Sequence, residues 1–260
     1  MNQKIIKSVI TIANEELRHR FSNVTREHKK DGSFLTKADL AVQTQVQALL
    51  LEQYPEITFL GEEMTAEQQQ LALENSDGVW ILDPLDGTSN FAAGIPYYAV
   101  SLAYIKAGKI EWGMVYDPER GECFSAANGK GAQLNGQLIA MDDAGVDIDK
   151  ATAVVDFKRL DSDLAARIAA QPPYSSQRSF GGVALDWCWL AAGRYHLYLH
   201  GKQNIWDYAA GHLVFNEVGG EACTLQGDAV FDFSLKSRSA VAARDKKLFR
   251  LWCNYLQVDI

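Results

Sequence analysis

Apolar residues at Ile5, Ile6, Val9, Ile10, Ala13 and Leu17 recur at the spacing of one helix face. Leu40, Val42, Val46, Leu49 and Leu50 repeat that spacing, so the pattern predicts two opening helices. Between them the run His28-Lys29-Lys30-Asp31-Gly32-Ser33 is polar and contains glycine, the composition of a loop. Thr36 or Asp39 is placed to cap the second helix, and Tyr54-Pro55 ends it.

From Ile57 the texture changes to short apolar runs: ITFLG, VWILD, YAVSLAYI, WGMVYD and ECFSAA. Ala107-Gly108 and Asp117-Pro118 punctuate the later runs, which predicts a sheet built from hairpins. From about Ala151 strand and helix patterns alternate: TAVVDF, a helix over 162–170, SSQRSF, a helix near 183–192, YHLYLH, and a helix over 208–218. Such alternation predicts a second layered α/β unit. The segment 137–150, with Asp142, Asp143, Asp147 and Asp149, reads as a linker, dividing the chain into 1–140 and 141–260. The expected fold class is α/β, an α+β half followed by an α/β half.

With 260 residues, 47% of them hydrophobic, the chain has material for one large core or two modest ones. A formal charge of -8 argues against nucleic acid as the main partner, because phosphate backbones call for clustered Lys and Arg. The 33 carboxylates serve solubility, or some of them gather where a cation compensates them, and only their positions decide. Cys123, Cys188, Cys223 and Cys253 match no zinc or redox spacing and read as buried thiols. The N-terminal apolar run is interrupted by Asn14, Glu15 and Glu16 before it reaches signal-peptide length. No window approaches a membrane span, so a reducing cytoplasm is the expected compartment.

Candidate chemistry centres on VWILDPLDGTSNF. Four apolar residues run into Asp83, and Pro84 is expected to stop further strand pairing there. Gly87 permits a tight backbone path, and Thr88, Ser89 and Asn90 are residue types that start helices. Two carboxylates beside unpaired N–H groups can hold hard cations and the phosphate oxygens that bridge them. A D-x-x-D-G run also occurs in ordinary turns. Upstream, ITFLGEEM places Glu62 and Glu63 after a short strand, where a solvated acidic turn is the plain alternative. Downstream, Ile205-Trp206-Asp207-Tyr208-Ala209-Ala210-Gly211 puts Asp207 at a helix start, as a site residue or a simple N-cap. The small Ala209, Ala210 and Gly211 would let that helix approach other backbone closely.

Together the three runs resemble the inositol monophosphatase superfamily, whose signatures G-E-E, D-P-[IL]-D-G-T-x-N-F and W-D-x-A-A-G occur in this order. The resemblance covers nearly the whole chain. It implies a layered αβαβα sandwich and a magnesium-dependent, lithium-sensitive phosphatase, usually a homodimer. By that resemblance Glu62, Asp83 and the Leu85 carbonyl would hold one Mg2+, and Asp83, Asp86 and Asp207 a second, with Glu62 helping a weaker third. Thr36-Lys37-Ala38-Asp39 fits a further family stretch, so Asp39 and Thr88 would activate the attacking water. Gly87 and Thr88 N–H groups would cradle the phosphate. Carboxylates suit magnesium better than His or Cys would.

Substrate choice is less defined. In inositol phosphatases a glutamate stands seven residues before the W-D aspartate; here that place falls on His200. Arg178-Ser179-Phe180-Gly181-Gly182-Val183-Ala184 resembles the family's pocket-lining R-x-x-G-[ST]-A-A segment, from which Gly182 and Val183 depart. Arg178 reads as a structural ion pair, and Asp186, Lys202 and Gln203 as pocket or rim candidates whose plain alternative is the surface. Trp187-Cys188-Trp189 and Tyr97-Tyr98 read as core packing. Expected substrates are small phosphorylated metabolites: inositol monophosphate, related sugar or cyclitol phosphates, histidinol phosphate, or a 3'(2'),5'-bisphosphate nucleotide. The longer basic region expected around an adenine is not found. The resemblance also raises a non-catalytic role, binding the transcription machinery, beside the enzymatic one.

Overall fold

The computed structural model describes residues 2–21, 27–28, 34–35, 37–74, 78–140 and 145–260. The loop at 28–33, the cap at Thr36, and Asp142 and Asp143 of the linker lie wholly or largely outside them. Helix α1 (Asn2–Ala13) runs into a π-helical turn at Asn14–Arg18, and after the short pair β1 (Glu27–His28) and β2 (Phe34–Leu35) comes α2 (Lys37–Gln53). Ile5, Val9, Ala13 and Leu17 are buried along one face, as the spacing predicts. In α2, Val42, Val46 and Leu50 are buried, whereas Leu40 is 46% exposed on the opposite side. Asp39 lies inside the first turn of α2 rather than at its cap, because the helix already begins at Lys37.

Strand β3 (Thr58–Gly61) leads through α3 (Ala66–Glu74) to β4 (Gly78–Asp86), α4 (Thr88–Ala93) and β5 (Ala99–Lys106). Then come β6 (Lys109–Asp117), β7 (Glu122–Ala127), β8 (Ala132–Leu134) and β9 (Gln137–Leu138). These form a seven-stranded sheet in sequence order, with β3 and β4 parallel and the rest an antiparallel meander. Pro84 does not end β4: the strand bulges after Asp83 and pairs again at Asp86 with Ala99. A bulge removes the need for the missing proline N–H and turns the strand's last carboxylates toward one side.

Strand β10 (Thr152–Asp156), α5 (Ser162–Ala170), β11 (Ser176–Arg178), α6 (Val183–Ala191) and β12 (Leu197–Gln203) open the second half. They are followed by α7 (Ile205–Glu217), β13 (Glu221–Cys223), β14 (Arg238–Ala243) and α8 (Lys246–Leu256). Their five-stranded sheet has the order β11-β10-β12-β14-β13, parallel across the first three strands and antiparallel at the last two.

Strand alternation reveals the layers. Trp80 and Leu82 pack under α1 and α2, while Val79 and Ile81 point to the other face, against α6 and α7. Tyr198, Ala240 and Ala242 of the second sheet join that same middle core, and Leu197, Leu199, Val241 and Ala243 face α8. The sheets and helices therefore stack as an αβαβα sandwich, the expected mixed α/β class. Helices α6 and α7 lie between two sheets, which is why Leu185, Trp187, Cys188, Leu190, Leu213, Val214 and Phe215 are all buried and neither helix keeps a polar face. Close approach depends on small residues: a Cβ on Gly113 would lie 2.9 Å from Ala210 Cα, and one on Gly211 2.7 Å from Trp187 Cβ. At the far end of α7 the Glu217 carboxylate accepts three successive amides, from Gly129, Lys130 and Gly131, at 2.8, 2.9 and 2.7 Å.

All four cysteines are buried and free. Tyr97, Tyr98, Trp187 and Cys188 are core residues, and Trp189 is partly buried against the middle core. No helix among the described residues is long and apolar enough to cross a membrane.

Candidate active site

The bulged end of β4 delivers the acidic run to a cleft of about 1350 Å³ between the two sheets' ends, lined by Glu62, Asp83, Asp86, Asp207 and residues of the second half. Parallel pairing sets Glu62 beside the run: Gly61 is in register with Leu82, and the Glu62 amide donates to the Leu82 carbonyl at 3.1 Å. Gln69 Nε2 donates to the Gly61 and Glu62 carbonyls at 3.0 and 3.1 Å, and Gln43 Oε1 accepts from the Glu63 amide at 3.1 Å. These two buried amides fix the Glu62 backbone from behind.

Asp83 is 2% exposed, and its Oδ1 accepts from the Leu85 amide at 2.9 Å. Asp86 accepts from the Val183 and Ala184 amides at 3.1 and 2.8 Å, holding the start of α6 against the end of β4. Asp207 is not the cap of α7. Asn204 holds that position, and Asp207, three residues on, reaches back so that its Oδ2 accepts the Asn204 amide at 2.7 Å.

Between the run and α4, Gly87 adopts φ 86°, where a Cβ would stand 2.8 Å from the Tyr97 carbonyl oxygen. Thr88 follows at the head of α4, and its hydroxyl donates to the Leu85 carbonyl at 2.9 Å. Asn90 Nδ2 donates to the carbonyls of Tyr97 and Phe180 at 2.9 and 2.7 Å, binding α4 to the pocket segment of the second half.

Burial pushes the Asp83 carboxyl well above the usual carboxylate range, with Glu62, Asp86 and Asp207 adding repulsion. Asp207 is raised by burial and then by Glu62 and Asp86. Burial raises Asp86 to about 8, although the Ala184 and Val183 amides pull it back. Such a group of carboxylates is unfavourable until positive charge enters among them. Oxygen donors in this number suit a hard divalent cation, so the donor set fits magnesium. Among the described residues, however, no three acidic, His or Cys side chains stand in a ready chelating arrangement. Oxygens of Asp83, Asp86 and Asp207 are instead turned to backbone amides.

The cleft also takes in Gly87, Thr88, Gly182, Val183 and His200. Asp39 is buried in α2 and does not line the cleft. Arg178 is exposed, and its guanidinium bonds Ser176 Oγ and the Gln177 carbonyl at 2.8 Å each, with no carboxylate among the described residues paired to it. Asp186 and Lys202 line the cleft, while Asp186 and Gln203 are buried rather than at the surface: Asp186 accepts from the Tyr97 hydroxyl at 2.8 Å, and Gln203 from Trp187 Nε1 at 2.9 Å. Burial raises Asp186 to about 8.

His200 lies inside β12, not at its end, and its Nε2 is 3.0 Å from Asp156 Oδ2. Asp156, Lys158 and Arg159, which line the cleft, carried no motif signal. Gly201 in a strand interior was the one available hint, since such glycines mark close backbone approach.

The inositol monophosphatase family profile matches residues 1–258. The chain belongs to the inositol monophosphatase family. Within that family it is 33% identical over 203 residues to the Nus factor SuhB of Pasteurella multocida, covering 76% of this chain and 74% of that protein. It is 28% identical over 254 residues to inositol monophosphatase 1 of Bos taurus, covering 95% and 89% of the two chains. The crystal structure of the extragenic suppressor protein SuhB from Bartonella henselae superposes with a TM-score of 0.84 at 27% identity, over 99% of this chain and 98% of that one.

Proposed function

We propose that this family member is a magnesium-dependent phosphomonoesterase acting on a small phosphorylated metabolite. The observation that carries the reading is the convergence of buried Asp83 and Asp86 with Asp207 and Glu62 on one cleft, beside the amides that head α4. Likeness to inositol monophosphatase 1 supports it. Both parts of the chain, 1–140 and 141–260, contribute.

Glu62, Asp83, the Leu85 carbonyl, Asp86 and Asp207 would hold two or three Mg2+. When bound, these ions neutralise the ester's oxygens and acidify a water. The chain's own groups do the positioning. Gly87 and Thr88 amides, which have no carbonyl one helical turn upstream, donate to the phosphate. Once the Leu85 carbonyl is engaged elsewhere, the Thr88 hydroxyl would orient the water for in-line attack while donating its own proton toward the Asp39 carboxylate of α2, with Glu62 assisting. Gly182, Val183 and His200 border the remainder of the substrate. Inositol monophosphate or a related sugar phosphate is the first substrate to test, histidinol phosphate and a 3'(2'),5'-bisphosphate nucleotide the next. The working state is a cytoplasmic homodimer, and inhibition by lithium is expected.

A phosphate-release screen over phosphorylated metabolites with magnesium, repeated with lithium and with chelator, tests the reading. No release from any substrate at any magnesium concentration would sink it. Similarity to SuhB, a Nus factor, favours a second, non-catalytic role with the transcription machinery. Capture of polymerase subunits by a folded, inactive Asp83→Asn protein would support that role, and failure to capture them would remove it.

A further inference from the structure

Of the four carboxylates assigned to magnesium, three ride on regular elements. Asp83 and Asp86 belong to β4 and Asp207 to the first turn of α7, so ladder and helix bonds hold their backbones. Glu62 alone lies between elements, in the turn 62–65 that leaves β3 and enters α3. After burial, Glu62 is the neighbour that most raises the carboxyls of both Asp83 and Asp207. A shift of that one turn therefore alters the charge felt at two other ligands.

Side chains hold the turn where no ladder does. Gln69 is buried on α3 and lines the cleft, and its single NH2 group spans two consecutive carbonyls, Gly61 at 3.0 Å and Glu62 at 3.1 Å. From α2, the buried Gln43 takes the next peptide, its Oε1 accepting the Glu63 amide at 3.1 Å. Gln43 fits because residue 61 is glycine: a Cβ there would stand 2.2 Å from the same oxygen. The Gly61 amide donates to Met64 Sδ at 3.1 Å, and the Met64 amide returns to the Gly61 carbonyl at 3.2 Å. Thr65 and Gln68 exchange backbone and side-chain bonds at 2.9 and 3.3 Å, a capping box that starts α3 and so decides where Gln69 stands.

Both glutamines are neutral, and that suits the place. A lysine at 69 would satisfy the same carbonyls but bring a cation to compete with an entering ion, and a carboxylate would add to the repulsion already present. An amide grips the peptide and leaves the charge of the cleft alone.

We propose that Gln69 and Gln43 are positioning residues for Glu62, and that their hold on its peptide sets the affinity of the cleft for divalent cations. This rests on the magnesium reading above and deepens it.

Titration of chelator-stripped protein with MnCl2, without substrate, tests the assignment. The probe is Mn2+ because it shares magnesium's preference for oxygen donors and its free form is counted by electron paramagnetic resonance. Gln69→Met, which keeps the length and removes both donors, should raise the Mn2+ dissociation constant by about tenfold or more, and Gln43→Met should raise it too. Leu73→Ala, at a buried apolar position on the same helix, should lower the melting temperature yet leave Mn2+ binding within about twofold. Binding by Gln69→Met indistinguishable from the wild type, or equal weakening in Leu73→Ala, would overturn the proposal. Should Gln69→Met not fold, Gln43→Met carries the same comparison. A wild-type protein that takes up no Mn2+ would remove the magnesium reading and this proposal with it, whereas wild-type binding that both glutamine variants retain would remove the proposal alone.

Discussion

Asp86 accepts the Ala184 amide at 2.8 Å across 98 positions of sequence, so one carboxylate of the acidic run also seats the first turn of α6. The group has two demands on it, backbone donors and an approaching cation. Replacing it by Ala leaves the Val183 and Ala184 amides without their acceptor, whereas Asn keeps one carbonyl oxygen in place. In chelator, Asp86→Ala should be less stable than Asp86→Asn by about 1–3 kcal/mol, measured by urea unfolding. Equal stabilities would show that the amides find other partners.

Asp83 faces burial and three like charges at once. Asp83→Asn keeps an oxygen for the Leu85 amide and removes the repulsion. The metal-free variant should therefore melt higher than the metal-free wild type. Phosphate release should fall by roughly a thousandfold, and the magnesium-induced rise in melting temperature should disappear. Near-normal turnover by the folded variant would refute the assigned role.

His212 is buried between Trp187 and Tyr208, with ring centroids 5.1 and 6.2 Å away, and burial pushes its imidazole down to about 4. Its folded value lies below the ordinary 6.5, so the unfolded chain takes up the proton first as pH falls. The stability at stake is intact above pH 6.5 and lost progressively toward pH 4, to a total on the order of 3 kcal/mol. Urea midpoints measured from pH 7 to 4 should fall less steeply in His212→Gln than in the wild type. Parallel curves would count against this assignment.

Gly201 is the tightest backbone approach at the site's edge. Gly201→Ala places a methyl group against the Arg159 carbonyl, so turn or strand must move, at a cost of about 1–3 kcal/mol or more. A variant of wild-type stability, measured by urea unfolding, would show that the turn is not held by this contact.

Much of the architecture was legible because period and composition agree in it. The helix at Ser162–Ala170 has the predicted bounds, and the apolar run VWILD splits its side chains between two cores as a doubly covered strand must. Pro84 misled because a bulge after Asp83 accommodates it, a tertiary solution that propensity does not encode. Asp207 looked like a cap because Asn204, the residue that caps α7, lies three positions earlier and shares the same capping box. The acidic half of the site was readable from motifs. Asp156, Lys158 and Arg159 were not, since their importance comes from a parallel register, Asp156 opposite His200, that unites segments 44 residues apart.

Glu217 sits far from the chemistry, yet it and Asp207 occupy opposite ends of one helix of 13 residues. With three amides gripping Glu217, α7 is a beam bolted at its outer end, and along its length of about 20 Å the only freedom left to Asp207 is that of the beam itself. Loosening that bolt would let the inner tip drift, spoiling alignment at the cleft by way of a surface turn that no substrate touches.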